Sequence, residues 1–302
     1  MDIVFGTNNN FCRHAGVAIA SLLDTNRGEK IVIHLLCIDV EPEQIARLES
    51  VVADYEATIK VYPITAELFE DFPDPGVYSL ASYLRLLTPG LLEGVTKAMY
   101  LDCDIVVRGA LRELYDTDIS AYSLAGIHDA TFAFPVVDQY IGYDCHRIGY
   151  INSGVLLMNL DYWRKHDVSH QIFKYLSTHP ALKFPDQDAI NAVLQGTILF
   201  VHPKWNTYAG HFHFPPKAVS SQKRSIKKLW SEAQIVHFTG HSKPWNYGCA
   251  NPYRKEYLHY LQQTPWRDVG LQRVDDNRLW GECLAILRHI RCGVARFCSH
   301  FY

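Results

Sequence analysis

Residues 97–107 form the stretch that most restricts the fold of this chain. The stretch is apolar almost throughout, and a pair of carboxylates, Asp102 and Asp104, interrupts it. A continuous apolar run is typical of a β-strand buried on both faces, as in a sheet covered by helices. Asp102 and Asp104 are one residue apart, so their side chains point the same way in an extended chain. We expect them to lie where the strand leaves the sheet.

Two carboxylates on one face can bind a divalent cation. Hard oxygen ligands suit Mg²⁺ or Mn²⁺, and a site with few protein ligands completes its octahedron with water or with phosphate oxygens of a substrate. The alternative is a surface turn with two solvated aspartates, because isolated Asp-x-Asp sequences occur by chance in many proteins. Taken alone, the two residues leave both interpretations open.

Strand and helix patterns alternate along the chain. Strands are predicted at residues 2–6, 31–38, 58–62, 123–127, 150–160, 198–201 and 234–238. Helices are predicted at residues 11–23, 41–52, 79–87 and 162–176, and from residue 186 to residue 194. Alternation of this kind predicts an α/β fold with a mostly parallel sheet.

The loop after the first strand is rich in turn-forming residues. Thr7, Asn8, Asn9 and Asn10 separate that strand from the helix that follows. A strand, loop, helix opening often places a ligand at the carboxyl end of the first strand. Helix capping is the alternative role for at least one of these asparagines.

Composition limits the classes of protein to which the chain can belong. Its 302 residues suit one large α/β domain, or one domain with an appendage, and 48% of them are hydrophobic. The net charge of -3 gives no reason to expect a nucleic-acid partner. The 8 cysteines are scattered, and no apolar run approaches the ~20 residues needed to span a bilayer. We therefore expect a cytoplasmic protein with reduced thiols.

Arg85 lies among apolar neighbours in the helix predicted at residues 79–87, which Pro89 is expected to stop. A guanidinium in such surroundings needs a partner. Arg85 could pair with Asp102 or Asp104 and so hold the carboxylates for a metal, or it could form a purely structural ion pair at the sheet. The sequence does not decide between these roles.

Two further segments combine polar residues with a strand or helix boundary. Asn152 and Gly154 lie at the start of an apolar strand, where glycine suits close backbone approach to a ligand and a β-bulge is the alternative. Asp186, Gln187 and Asp188 open a helix, where negative charge is favourable. Capping of that helix explains the two aspartates but gives Gln187 no role.

The segment at residues 237–245 follows a strand and is rich in groups that suit an anion. It contains His237, Gly240 and Lys243 within a short loop. A lysine and glycine backbone in such a loop suit an anionic phosphate better than they suit a protein core.

In this order, the motifs of the chain resemble those of the family 8 retaining glycosyltransferases, especially the bacterial lipopolysaccharide α-galactosyltransferases and α-glucosyltransferases. The resemblance spans nearly all of residues 1–245. The motifs are DIVFGTNNNF at residues 2–11, YLRL at 83–86, YLDCD at 100–104, NSGVLL at 152–157, DQD at 186–188 and HFTGHSKPW at 237–245. The resemblance implies a GT-A fold, a Rossmann-like α/β architecture that binds nucleotide-diphospho-sugars.

The resemblance also implies a cofactor and a donor. Asp102, Asp104 and His237 would hold Mn²⁺, with Mg²⁺ as an alternative, and the metal would bridge the diphosphate of UDP-galactose or UDP-glucose. Neutralisation of the departing diphosphate is what such chemistry requires. The nucleotide-sugar site that the resemblance implies comprises Thr7, Asn8, Asn10, Phe11, Arg85, Asp102, Cys103, Asp104, Asn152, Gly154, Asp186, Gln187, Gly240 and Lys243.

For the transfer step, the resemblance places Gln187 near the β-face of the anomeric carbon, where a double displacement needs its nucleophile. An amide is a poor nucleophile. A front-face attack by the acceptor hydroxyl, with a diphosphate oxygen taking its proton, therefore stays open. Asp188 is the nearby carboxylate that could serve as an alternative nucleophile or as an electrostatic stabiliser.

We expect a catalytic domain at residues 1–250 and a C-terminal helical segment at residues 251–302. Apolar residues recur at helical spacing within residues 277–302, with arginines on the other face. That pattern favours a helix lying on an anionic membrane surface over a helix packed on the domain, and it suits a lipid-linked saccharide acceptor. The expected location is the inner face of the cytoplasmic membrane. The alternatives are a transferase acting on a protein or soluble glycan and a catalytically idle nucleotide-sugar or glycan-binding module.

Overall fold

The computed structural model of the protein describes residues 1–70, 72–73, 79–129, 141–208, 228–240, 243–249 and 251–272. Its strands are β1 (Asp2–Asn8), β2 (Ile31–Ile38), β3 (Ala57–Ile64), β4 (Lys97–Leu101), β5 (Ile105–Val107), β6 (Leu124–His128), β7 (Ile151–Asn159), β8 (Ile198–Phe200), β9 (Thr207–Tyr208) and β10 (Ile235–His237). Its helices include α1 (Cys12–Thr25), α2 (Pro42–Ala53), α3 (Leu84–Leu91), α4 (Arg112–Tyr115), α5 (Cys145–Ile148), α6 (Leu160–Lys165), α7 (Val168–Thr178), α8 (Pro185–Leu194) and α9 (Arg254–Leu261).

A 7-stranded sheet with the order β3-β2-β1-β4-β7-β6-β8 forms the centre of the fold. The pairs from β3 through β4 are parallel, as is β6 with β8, whereas β7 runs antiparallel to both of its neighbours. The predicted α/β fold with a mostly parallel sheet flanked by helices is confirmed. The strand order reverses beside β1, so the carboxyl ends of β1 and β4 flank the kind of crevice in which α/β sheets bind ligands.

The single strand predicted at residues 97–107 is wrong in one respect, because the structure divides it into two strands in different sheets. β4 pairs with β1 and β7 in the main sheet, whereas β5 pairs with β10 in a 3-stranded sheet of order β5-β10-β9. Asp102 and Asp104 therefore lie at the corner between the sheets. Both halves of the apolar run are buried, but their backbone hydrogen bonds belong to two different sheets.

The two faces of the main sheet are covered by separate groups of apolar side chains. Ile3 and Phe5 of β1 pack on one face, whereas Val4 packs on the other, as the period of 2 in a strand requires. Helix α1 packs on the first face and buries nearly its whole length, from Cys12 to Leu23. Burial of a large apolar side chain stabilises the fold by roughly 1.5–3 kcal/mol. Because α1 buries many such side chains, its position on the sheet is fixed, and so are the start and end of the loop that joins β1 to α1.

Two of the predicted helices differ from the observed ones. The helix predicted at residues 162–176 is two helices, α6 and α7, because Asp167 takes a left-handed conformation with φ +49° between them. The helix carrying Arg85 does not stop before Pro89 but continues to Leu91. The proline costs one backbone hydrogen bond in this short helix, and the N–H of Leu92 still reaches the Thr88 carbonyl at 3.1 Å.

The first part of the C-terminal segment packs against the main domain. Tyr257, Tyr260 and Leu261 of α9 are buried in the same apolar cluster as α1, and so is Trp266. A Cβ built on Gly16 of α1 would lie 2.6 Å from the Trp266 ring, which shows how closely the two elements approach. The helix predicted at residues 277–302 lies outside the described residues. Among the residues that the structure describes, no helix is long and apolar enough to cross a membrane.

Candidate active site

The two sheets bring Asp102, Asp104 and His237 together. Asp102 follows β4 and Asp104 precedes β5, while His237 ends β10, whose antiparallel register sets it opposite Ile105. The Nε2 atom of His237 lies 3.6 Å from Asp102 Oδ2 and 3.1 Å from Asp104 Oδ1. One ligand atom from each of the three residues lies within 4.8 Å of the others. This donor set of two carboxylates and an imidazole fits a Mn²⁺ or Mg²⁺ ion that keeps positions for phosphate oxygens.

Asn206, which the sequence did not indicate, orients the imidazole of His237. The Nδ1 atom of His237 lies 3.0 Å from Asn206 Oδ1, and Asn206 Nδ2 donates to Asn152 Oδ1 at 2.8 Å. Asn206 is fully buried, as are most atoms of His237. A proton on Nδ1 that is donated to the amide oxygen leaves the Nε2 lone pair facing the two carboxylates, which is the tautomer that a metal ligand needs.

We expect Asn206→Ala to weaken Mn²⁺ binding by about 10–100-fold, because the imidazole loses the partner that fixes its tautomer and ring orientation. Titration with Mn²⁺, followed by calorimetry or electron paramagnetic resonance, measures the effect. Asn159→Ala is a matched control, since Asn159 caps α6 and binds two backbone carbonyls at the far end of β7. Equal Mn²⁺ affinity in wild type and Asn206→Ala would contradict this role.

Gly154 lies directly behind the cluster of Asp102, Asp104 and His237. Because β7 is antiparallel to β4, its first residues meet the end of β4, and the N–H of Asp102 donates to the Gly154 carbonyl at 2.9 Å. A Cβ on Gly154 would lie 2.2 Å from Cε1 of His237 and 2.8 Å from Oδ2 of Asp102. No other residue type fits this position without moving a ligand.

Arg85 links Asp102 to the first turn of α8. Its Nη2 lies 2.9 Å from Asp102 Oδ1 and its Nε lies 3.2 Å from Asp186 Oδ2. It also donates to the Ser153 carbonyl, and its guanidinium stacks 4.5 Å from the centre of the Tyr100 ring. Burial lowers the pKa of Arg85, but the carboxylates of Asp102 and Asp186 more than offset that effect and raise it. Arg85 therefore stays charged and holds one Asp102 oxygen away from the cluster.

Lys243 approaches the same cluster from the loop after β10. Its Nζ lies 2.5 Å from Asp104 Oδ2 and donates to the Phe238 carbonyl at 2.8 Å. Burial would raise the pKa of Asp104, but the Lys243 ammonium beside it holds that pKa well below its usual range. Asp104 is thus an anion in the folded protein, and a cationic amine stands next to it. Lys243 can neutralise part of an anionic ligand once its ammonium is released from Asp104.

Gln187 is part of a buried hydrogen-bond network. Its Oε1 accepts from the N–H of Ser153 at 2.9 Å, and its Nε2 donates to the Tyr150 hydroxyl at 3.1 Å and to Asp129 at 3.3 Å. The Tyr150 hydroxyl donates in turn to Asp188 Oδ1 at 2.5 Å. The side-chain amide of Gln187 is therefore fixed between β7 and α8.

Asp188, which the resemblance offered as an alternative nucleophile or electrostatic stabiliser, is fully buried. Its Oδ1 accepts from Tyr150, and its Oδ2 accepts from the N–H of Phe184 at 2.8 Å. Burial raises the pKa of this carboxyl to about 6. Both oxygens are engaged inside the protein, so Asp188 orients Tyr150 rather than presenting a free oxygen to a ligand.

Most of the remaining predicted residues of the nucleotide site lie at the end of β1 and in the turn that follows it. Asn8 caps the turn that follows it, since its Oδ1 accepts from the N–H of Phe11 at 3.1 Å. Thr7 and Cys103 are buried and donate to the Asn8 and Gly6 carbonyls at 3.1 Å and 3.2 Å, respectively. The Phe11 ring meets the Trp245 ring edge-on, with centroids 6.1 Å apart.

Asn10 and Gly240 are both exposed, Asn10 on the loop after β1 and Gly240 after β10. Gly240 has a φ of +75°, a left-handed conformation that favours glycine.

Comparison with known proteins identifies the family. The sequence matches glycosyl transferase family 8 over residues 2–249, so the chain belongs to this family and is a glycosyltransferase. It is 31% identical to general stress protein A of Bacillus subtilis, over 89% of this chain and 96% of that protein. It is 27% identical to a lipopolysaccharide 1,2-glucosyltransferase of Escherichia coli, over 90% of this chain and 81% of that protein.

A solved structure supports the fold that the resemblance implied. The crystal structure of the galactosyltransferase LgtC in complex with donor and acceptor sugar analogs superimposes with a TM-score of 0.79 and 24% sequence identity. The alignment covers 88% of this chain and 96% of that protein. The GT-A fold and the resemblance to family 8 are thus confirmed. A transferase of this kind uses a nucleotide-sugar donor and a saccharide acceptor.

Proposed function

We propose that the protein is a metal-dependent, retaining glycosyltransferase that moves a hexose from UDP-galactose or UDP-glucose to a saccharide acceptor. The observation that carries the proposal is the convergence of Asp102, Asp104 and His237 at the corner of the two sheets, with Lys243 at 2.5 Å from Asp104. Carboxylates and a cationic amine in one place suit a diphosphate that is bound through a divalent cation.

Asp102, Asp104 and His237 would hold Mn²⁺, or Mg²⁺ as the alternative. When bound, the metal supplies Lewis-acid neutralisation of the charge that develops on the leaving diphosphate. Lys243 would then leave Asp104 and contact a phosphate oxygen, because the metal would neutralise the Asp104 charge. The exposed backbone at Gly240 would add a donor on the same side.

The other predicted residues divide between uridine and the sugar. Thr7 and Asn8 end β1, and Asn10 and Phe11 lie in the turn after it. These residues would contact the uridine, with Phe11 against the base. The charged and polar groups behind the metal cluster would contact the hexose. These are Arg85, Asn152, Gly154, Asp186 and Gln187.

In the transfer step, we propose that the acceptor oxygen bonds to the anomeric carbon from the side of the leaving group. The bond from that carbon to the diphosphate oxygen breaks, and the proton of the acceptor hydroxyl passes to the diphosphate. Gln187 would stabilise the oxocarbenium-like state through its amide dipole, held in place by Ser153 and Tyr150. Asp188 would act only through Tyr150. A β-linked product, seen by NMR, would overturn retention and this path with it.

The acceptor that we propose is a lipopolysaccharide-type core, because a relative of similar length is a lipopolysaccharide glucosyltransferase. A protein or soluble glycan is the alternative acceptor. For residues 277–302 we propose attachment to an anionic membrane surface at the inner face of the cytoplasmic membrane, since basic residues dominate the polar face of that amphipathic pattern. Deletion of these residues should release the protein from anionic vesicles in a co-sedimentation assay, and unchanged binding would refute the attachment.

Calorimetric titration with nucleotides tests the donor assignment. We expect UDP to bind at least about tenfold more tightly with Mn²⁺ than with EDTA, because a metal held by Asp102 and Asp104 would neutralise charge on the diphosphate. ADP and GDP should bind more weakly than UDP under the same conditions. Equal affinity for all three nucleotides, or the same UDP affinity with Mn²⁺ and with EDTA, would contradict the proposal.

A further inference from the structure

The loop that carries Lys243 is held by residues beyond the family match, which ends at residue 249. Arg254, the first residue of α9, donates from Nε to the Pro244 carbonyl at 3.0 Å and from Nη2 to the Asn246 carbonyl at 3.0 Å. The planar guanidinium thus bridges two backbone carbonyls on either side of Trp245. A lysine cannot reproduce this contact, because its donors radiate from one nitrogen on a flexible stem rather than from a rigid planar fork.

Backbone hydrogen bonds to Gln272 also hold this loop. The N–H of Gln272 donates to the Trp245 carbonyl at 2.8 Å, and the N–H of Tyr247 donates to the Gln272 carbonyl at 3.0 Å. These contacts close the loop against the far end of the segment that begins with α9.

The Trp245 side chain supplies a third attachment. Its ring stacks on His14 of α1 with centroids 3.5 Å apart, and His14 Nδ1 lies 2.7 Å from the Tyr257 hydroxyl of α9. Trp245 is 5% exposed, so the ring is an anchor rather than a free surface for a ligand. Burial lowers the pKa of His14 well below its usual range, which keeps the stacked imidazole neutral.

We propose that Arg254 is a positioning residue of the donor site: it fixes the Pro244 and Asn246 backbone so that Lys243 stays at the Asp104 side of the cluster, where its amine can move from Asp104 to the diphosphate. The inference rests on the proposed function, which assigns Lys243 to the phosphates. It also makes residues 254–272 a working part of the catalytic unit, although they follow the boundary at residue 250 that the sequence suggested.

Arg254→Met tests the proposal, because it should weaken binding of the UDP phosphates without weakening binding of the uridine part. We expect UDP affinity in the presence of Mn²⁺ to fall about 10–100-fold, because a displaced Lys243 loses its partner. Uridine affinity should stay within about twofold, since the residues assigned to uridine lie at the end of β1 and in the turn after it. Mn²⁺ affinity should not fall, because Asp102 and Asp104 lie outside the loop and Asp104 loses a competing cation when Lys243 moves. Lys255→Met is the matched control, because Lys255 is the exposed next residue of the same helix and should change none of these affinities.

A double-mutant cycle separates positioning from general destabilisation. If Arg254 acts through Lys243, then Arg254→Met adds little to the loss already caused by Lys243→Met. Arg254→Lys should recover only part of the UDP affinity. Additive losses, or equal losses of UDP and uridine affinity, would overturn the proposal. Wild-type protein that fails to bind UDP at all would instead refute the proposed function, so the two failures are distinguishable.

Discussion

Asp104→Asn is expected to lower the turnover of a UDP-sugar by about 10²–10³-fold or more while the protein stays folded. The amide fills nearly the same volume as the carboxylate but carries no charge. It therefore weakens the contacts to Lys243 and His237 at 2.5 Å and 3.1 Å and removes an anionic ligand from the proposed metal site. The initial rate of UDP release measures the loss, and circular dichroism verifies the fold.

Asp161→Asn is the matched control for this variant. Asp161 pairs with Arg164 on the surface, and its side chain is 62% exposed. Exposed pairs of this kind contribute little to stability, so we expect wild-type turnover. EDTA added to the wild type should reproduce the loss seen in Asp104→Asn. An Asp104→Asn variant with full activity, or a metal-free enzyme with full activity, would refute the metal assignment.

Gly154→Ala is expected to lower both Mn²⁺ affinity and turnover by about 10²-fold, since misplacement of reacting groups by about 1 Å costs that much. The backbone of Gly154 is not in the left-handed region, so alanine meets no conformational barrier there. The effect is purely steric. The new Cβ would lie 2.2 Å from the His237 ring, and the ring or the Asp102 carboxylate at 2.8 Å must move.

Gly90→Ala provides the comparison for Gly154→Ala, because a Cβ on Gly90 meets no atom within 4 Å. Gly90 lies in α3, where alanine is favoured over glycine, so this control should be active and slightly more stable. Unchanged Mn²⁺ affinity in Gly154→Ala would mean that the metal ligands have more space than the structure gives them.

Much of the site could be predicted from the sequence, because its residues depart from what is expected in the strands where they lie. Asp102 and Asp104 interrupt an apolar run, and Gly154 occupies a strand where glycine is unfavourable. The division of that run between two sheets could not be predicted. It depends on the pairing of β5 with β10, which is more than 120 residues away along the chain.

The residues that hold the site together had no such signal. Asn206 lies between Trp205 and Thr207 in a segment without periodicity, and only the fold brings it to His237. Tyr150 is apolar enough to pass for a core residue, yet its hydroxyl joins Gln187 to Asp188. Arg254 is the first residue of α9, and its local sequence does not indicate the contacts that it makes with the Lys243 loop. Such groups act through contacts between distant parts of the chain, which local patterns do not encode.

UDP release from UDP-galactose, UDP-glucose and UDP-N-acetylglucosamine, measured with Mn²⁺ and again with EDTA, tests the central claim most directly. The proposed function predicts slow hydrolysis of at least one of the two hexose donors without any acceptor, and none in EDTA. In this hydrolysis, water would take the place of the acceptor hydroxyl, because the site makes all its contacts with the sugar donor without an acceptor. Tight UDP binding without turnover of any donor, even with an acceptor saccharide present, would instead identify a catalytically idle binding module and contradict the assignment.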